Sequence, residues 1–125
     1  MKVIGTYTRL FVNDLNSVLP FYESLFSEKA AFRIQYPEMN LELAPVGPFL
    51  LIAGTNEALE PFRSTSATIL VDSLDEFRSY LEAHDAELLR GPRQVPTGIN
   101  MTVKHQDGTI VEYVEHSAAV NQFRR

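Results

Sequence analysis

Two stretches, YTRLFVNDL (residues 7–15) and SATILVDSL (residues 66–74), decide the fold. Laid one on the other at an offset of 59 residues, Leu10 meets Ile69, Phe11 meets Leu70, Val12 meets Val71 and Leu15 meets Leu74. Each is a β-branched and aromatic run closing on Asp with Asn or Ser, the pattern of a strand entering a helix. The match continues downstream. Val18, Phe21, Tyr22 and Leu25 follow i, i+3, i+4, i+7 spacing, and the same offset yields Phe77, Tyr80, Leu81 and His84, so each set predicts one helical face. Ser73 and Glu76 have the spacing of a capping box, each satisfying a free amide of the other. Pro20 lacks an N–H and belongs in or next to the first turn, so the first helix is expected to begin near Asn16 or Ser17.

Extended sequence follows each helix. Residues 31–36, 40–46 and 49–55 read as three strands split by Pro37-Glu38 and Gly47-Pro48. Residues 87–90, 99–104 and 109–115 repeat this, split by Gly91-Pro92 and Asp107-Gly108. The chain therefore reads as one α+β domain over residues 1–125. It holds two β-α-β-β-β modules (about 4–55 and 65–116), a linker at 56–64 and a tail at 117–125. A ferredoxin-like domain is duplicated too, but it places two strands between its helices, and four are counted here.

Bulk properties narrow the function. Apolar residues are 45% and charged residues 22% of the chain, ordinary for a globular protein. The absence of cysteine excludes disulfides and thiolate metal sites. A net charge of −5 with no basic stripe argues against nucleic acid, whose binding draws on cations that neutralise phosphates. The opening MKVIGTYTRL is too short an apolar run for a signal peptide, and no stretch has the ~20 apolar residues that span a bilayer. A cytoplasmic protein with no membrane contact is expected.

The duplicated plan resembles the vicinal-oxygen-chelate superfamily, which includes glyoxalase I, extradiol dioxygenases and bleomycin- and fosfomycin-resistance proteins. The resemblance covers about residues 4–116. It is carried by VNDL after the first strand and by the ending HQDGTIVEYVE, an Asp-Gly turn with a Glu four residues past the Gly. It implies two modules whose strands curl into a half-open sheet around a cavity, and commonly a homodimer. It also implies four metal ligands, usually His and Glu, at positions occupied here by Tyr7, Ser66, Glu112 and a residue near Ile52 or Ala53. Three of the four are not ligands a divalent ion would choose: hard ions want about six oxygens and softer ones want imidazole.

Strand alternation sorts the cavity face. Tyr7, Arg9 and Phe11 share one side of the first strand, and Ser66, Thr68 and Leu70 share one side of its counterpart. For the last hairpin, a turn at Gln106-Asp107 with Gly108 in the left-handed bulge position sets Glu112 opposite Thr102. That register gathers Ile99, Met101, Val103, Val111 and Tyr113 on one apolar face and Asn100, Thr102, Lys104 and Glu112 on the other, so it is the one expected. The ligand-binding candidates are Tyr7, Arg9, Phe11, Ser66, Thr68, Asn100, Thr102 and Glu112; aromatic walls with a few polar groups suit a small molecule. Glu112 and Arg9 could instead be each other's partner, and Tyr7 could be packing. His84 is placed in the last turn of a helix, and His105 and His116 at strand ends, exposed. Three scattered histidines make no metal motif.

These readings predict a small-molecule binding (sequestering) protein of the glyoxalase/bleomycin-resistance type, without cofactor, catalytic residues unassigned. The alternative is a metal-dependent lyase, isomerase or dioxygenase with Ni, Zn, Fe or Mn at Glu112, or Glu112 as general base. A third is a domain whose concave face meets another protein.

Overall fold

A computed structural model describes residues 1–122. The first half runs β1 (Val3–Val12), α1 (Leu15–Phe26), β2 (Ile34–Tyr36), β3 (Leu41–Val46) and β4 (Phe49–Ala53). A short helix α2 (Asn56–Leu59) and a 3-10 turn (Glu60–Phe62) join it to the second half. That half runs β5 (Ala67–Val71), α3 (Leu74–Ala83), β6 (Glu87–Val95), β7 (Gly98–Lys104) and β8 (Ile110–His116) before a last turn, α4 (Ala118–Asn121). All strands form one curled eight-stranded sheet in the order β2-β3-β4-β1-β5-β8-β7-β6. This is the duplicated α+β plan expected from the sequence, with both helices packed on the same sheet. No helix of the described residues is long and apolar enough to cross a membrane.

The halves meet at β1 and β5, which pair antiparallel with Thr8 opposite Ala67. Those two residues are equivalent at the offset of 59, so the pseudo-twofold axis passes between them. Within each half the first and last strands run parallel: Arg9 faces Leu50, and Thr68 faces Glu112. Strand alternation then splits the side chains into layers. Leu10 and Val12 pack with Leu15, Leu19, Leu51 and Ala53 under α1. Ile69 and Val71 pack with Phe77, Leu81, Val103 and Tyr113 under α3. Each buried Leu or Phe side chain in these layers contributes roughly 1.5–3 kcal/mol. On the concave side Tyr7 and Phe11 pack against Tyr36, Leu50, Ile52 and Phe62.

Several local expectations are corrected. Helix α1 begins at Leu15, so Pro20 is its sixth residue and lies inside the helix rather than in its first turn. The helix phases of the two halves match, but their buried stripes are Leu15, Leu19 and Leu74, Phe77, Leu81. Phe21, Leu25 and Tyr80 point to solvent at 64, 59 and 45% exposure, and His84 is exposed beside Tyr80. Strand β2 is shorter than the 31–36 expected, and β6 continues through Gly91-Pro92 to Val95 with register shifts at Leu88/Arg90 and Arg90/Arg93. The joining segment is helical rather than slack, and its Leu59 and Phe62 are buried in the concave cluster. The tail contains α4; residues 123–125 lie outside the described residues.

The last hairpin has the expected register. Gly108 N donates to His105 O (2.9 Å) and His105 N to Thr109 O (2.8 Å), with Gly108 at φ +93. A left-handed residue there suits glycine, which has no Cβ to clash. Thr102 consequently faces Glu112.

Candidate functional site

The concave face holds two small compartments that share Leu43, Leu50, Thr97 and Glu112. The first adds Arg9, Tyr36, Ile52, Phe62 and Asn100. The second adds Tyr7, Phe32, Thr68, Val114 and His116. Each encloses about 30 Å³, room for roughly two water molecules. The turn between β6 and β7 closes one end. It is tight because Gly98 lies where any Cβ would fall on Glu115 O, and Ser117 N donates to Thr97 O (2.9 Å).

Glu112 stands at the junction. Its neighbour on β5, Thr68, is buried and donates through Oγ1 to Glu112 Oε1 (3.3 Å); Asn100 Nδ2 from β7 donates to Oε2 (3.1 Å). Both oxygens are thus held by neutral donors, which orients the carboxylate, and the Arg9 charge acts on it from within the same compartment. Arg9 enters the same compartment from β1. Its Nε is buried with no hydrogen-bond partner among the described residues, and its guanidinium lies 5.7 Å from the Phe11 ring centroid. Burial lowers the Arg9 pKa from its ordinary value; the Glu112 charge works against that, and the Arg90 charge adds to it.

Of the residues singled out from sequence, Arg9, Asn100 and Glu112 come together in the first compartment, and Tyr7, Thr68 and Glu112 in the second. Phe11 packs in the concave cluster and Thr102 is buried opposite Glu112, but neither lines a compartment. Ser66 departs from the expectation. It precedes β5, is exposed, and lines neither compartment. His105 is half-buried, with Nε2 2.7 Å from the Tyr113 hydroxyl, rather than exposed. His116 is also half-buried and lines the second compartment, packed edge-on at 5.9 Å from Phe32. Sequence reasoning missed it, although it lies four residues beyond Glu112 on one strand and so on the same face. Thr97 and Phe62 were missed as well, because a turn and a joining segment carry no alternation, and so was Tyr36, the last residue of the three-residue β2, too short a strand for alternation to show.

The metal that the resemblance implies does not fit the residues present. The parallel pairings make Leu50 the counterpart of Glu112, so the remaining position is Leu50 rather than Ile52 or Ala53; Ala53 packs under α1. The four positions are therefore Tyr7, Leu50, Ser66 and Glu112, which supply one carboxylate and no imidazole. The Arg9 cation already lies beside that carboxylate, where a divalent ion would meet like charge. No group of three or more His, Cys, Asp or Glu among the described residues could hold a metal ion.

No protein-family model and no curated protein matches the chain. Solved structures do. An uncharacterized protein from Methanosarcina mazei is 55% identical over 94% of this chain and 95% of its own, with a TM-score of 0.89. The methylmalonyl-CoA epimerase of Mycobacterium tuberculosis is 16% identical over 96% of this chain and 93% of its own, at a TM-score of 0.73. A variant of the Streptomyces coelicolor methylmalonyl-CoA epimerase, in complex with 2-nitronate-propionyl-CoA, is 15% identical over 94% and 96%, at 0.71. The epimerases share the fold, and they are members of the vicinal-oxygen-chelate superfamily. At 55% identity over nearly its whole length, the chain belongs to the same family as the Methanosarcina mazei protein, a family built on the vicinal-oxygen-chelate fold.

Proposed function

We propose that the protein is a metal-independent small-molecule binding protein of the glyoxalase/bleomycin-resistance type, holding its ligand on the concave face. One observation carries this reading: the single carboxylate of the expected metal set, Glu112, shares its compartment with the Arg9 guanidinium, while its counterpart is Leu50. What remains is an apolar chamber with a few oriented polar groups, the usual make-up of a ligand pocket. Leu43, Leu50, Thr97 and Glu112 line both compartments. The homodimer that the resemblance implies is part of this proposal.

A second reading, an isomerase or lyase in which Glu112 takes a proton from a carbon acid, is favoured by the position of that carboxylate on both compartments. The epimerase neighbours, at 15–16% identity, speak for the fold alone.

Metal analysis of the purified wild type and of Glu112→Gln tests the proposal. Less than about one metal per ten chains is expected in both, together with a thermal upshift by a bound small molecule that Glu112→Gln retains at least in part. Stoichiometric Ni, Zn, Fe or Mn that disappears in Glu112→Gln overturns it. Solvent-deuterium incorporation into a ligand by wild type, absent in Glu112→Gln, moves the assignment to the second reading.

A further inference from the structure

The six arginines among the described residues divide into two groups. Arg33, Arg63 and Arg78 each form an ion pair, with Glu42, Glu60 and Glu82 respectively. Arg9, Arg90 and Arg93 form none within 4.0 Å among the described residues, and each either lines the first compartment or touches a residue of its wall from the exposed side. Arg9 lines it directly. Arg90 stacks its guanidinium 5.6 Å from the ring centroid of Phe62, a lining residue. Arg93 Nη2 donates to the hydroxyl of Tyr36, another lining residue (3.1 Å).

Inside the compartment Arg9 shares the space with one carboxylate, Glu112, already held by Thr68 and Asn100. The Arg90 and Arg93 cations add a positive field from outside the apolar hollow, in a chain whose net charge is −5. Low-dielectric walls focus such a field on whatever enters. A buried guanidinium nitrogen without a partner costs stability. Here it is not a stray surface group: it lines the hollow directly, within reach of the Arg90 charge, which disfavours its charged form, the arrangement expected where an anion completes the set.

We propose that the first compartment recognises the carboxylate of a small organic acid, with Arg9 as the inner contact and Arg93 and Arg90 at the rim. This rests on the small-molecule reading above and names the chemical class of its ligand. The hollow has room for about two water molecules, so an acid larger than its carboxylate requires the wall to open. A planar carboxylate matches the fork of a guanidinium. The body of the acid is apolar, because Leu41, Leu43, Ile52 and Phe62 form the rest of the wall.

The test uses matched pairs, propionate against propionamide, hexanoate against hexanamide and benzoate against benzamide, with phenyl phosphate as a further arm. Each is titrated into wild type, Arg9→Gln, Arg93→Gln and the remote control Arg78→Gln, following amide chemical shifts by NMR. Wild type and Arg78→Gln are expected to bind at least one acid about tenfold or more tighter than its amide. Arg9→Gln is expected to lose that preference, and Arg93→Gln to reduce it by about threefold. Arg93 is exposed, so Arg93→Gln carries the test should Arg9→Gln not fold. Equal binding of acid and amide by wild type overturns the inference and leaves the binding-protein reading standing. So does an acid preference unchanged in both variants. Absence of binding by every acid also overturns it, and the metal analysis still judges the broader reading by itself. Tighter binding of phenyl phosphate than of benzoate replaces carboxylate with phosphate.

Discussion

The two halves of the molecule agree under their helices and disagree in the cavity. At the offset of 59, Leu10 and Ile69, Val12 and Val71, and Leu15 and Leu74 occupy the same places beneath α1 and α3. On the concave side the same superposition sets Tyr7 against Ser66, Arg9 against Thr68 and, through the strand pairing, Leu50 against Glu112. The first half supplies the inner cation and most of the apolar wall, whereas the second supplies the acid and its hydrogen-bond donors. Packing against a helix admits few solutions, so both copies keep apolar residues of similar size there. The cavity wall has no such constraint, and it has become two different surfaces facing each other. On the proposed reading, recognition is built from their difference.

The largest expected effect tests the agreement. Leu15 and Leu74 open the two helices and are 1 and 3% exposed. Leu15→Ala and Leu74→Ala should each cost about 3 kcal/mol, the usual loss for an emptied leucine site. The two losses should agree to within about 1 kcal/mol in urea denaturation. A loss in one half more than about twice that in the other would show that the layers are equivalent in position but not in packing.

How far the sequence carries is set by the same contrast. The offset found from YTRLFVNDL and SATILVDSL aligns the two helix starts, Leu15 and Leu74, and the Ser73 cap marks the second, but avoiding Pro20 moves the expected start of the first to Asn16 or Ser17. The hairpin register follows from Gly108, because only one pairing lets Val103, Val111 and Tyr113 share a buried face. The offset fails further on. Between the first and last strands the second half carries three more residues than the first: Arg9 pairs with Leu50, but Thr68 pairs with Glu112. Carrying 59 through to β8 therefore sends Glu112 to Ala53 rather than Leu50. Arg90 and Arg93 escaped notice because β6 shifts register at both, so alternation does not say which way they point. Phe21 and Leu25 misled for a different reason. Large apolar residues at helical spacing mark a helix, but they do not say which of two adjacent stripes faces inward.

A smaller effect, opposite in sign between the halves, sharpens the disagreement. Thr68→Val keeps the shape of the side chain and removes the hydroxyl that donates to Glu112; a loss of about 1 kcal/mol is expected. Arg9→Met removes a cation whose pKa burial has lowered, which means the charged form is less favoured folded than unfolded. Relief of that desolvation should raise stability by about 1 kcal/mol, with a rise in Tm of roughly 3–4 °C. The measurement is calorimetric Tm without added ligand. A clear fall in Arg9→Met would make Arg9 the structural partner of Glu112 rather than a ligand anchor held at a cost.

The smallest difference lies at the helix starts. Ser73 caps α3, its hydroxyl accepting from Glu76 N (3.3 Å), and Glu115 Oε1 accepts from Leu74 N (2.8 Å). At the equivalent place on α1, Asp14 makes no side-chain cap bond; its carboxylate accepts instead from Ser17 Oγ (2.6 Å). That hydrogen bond, the largest influence on the group, holds the Asp14 pKa below 3.8. Loss of the neutral cap in Ser73→Ala should cost about 0.5 kcal/mol, with no change between pH 7 and pH 2 from the serine itself. Asp14 behaves differently because a lowered carboxylate pKa stabilises only the ionised folded form. Its contribution is complete above the unfolded value near 4 and disappears as the pH falls through the folded one. The stability gap between wild type and Asp14→Ala should therefore close on acidification while the gap for Ser73→Ala stays open. Denaturation at pH 7, 4 and 2 reads both. A gap for Asp14→Ala that persists at pH 2 would assign its role to helix geometry rather than to charge, and the two starts would then differ less than their hydrogen bonds indicate.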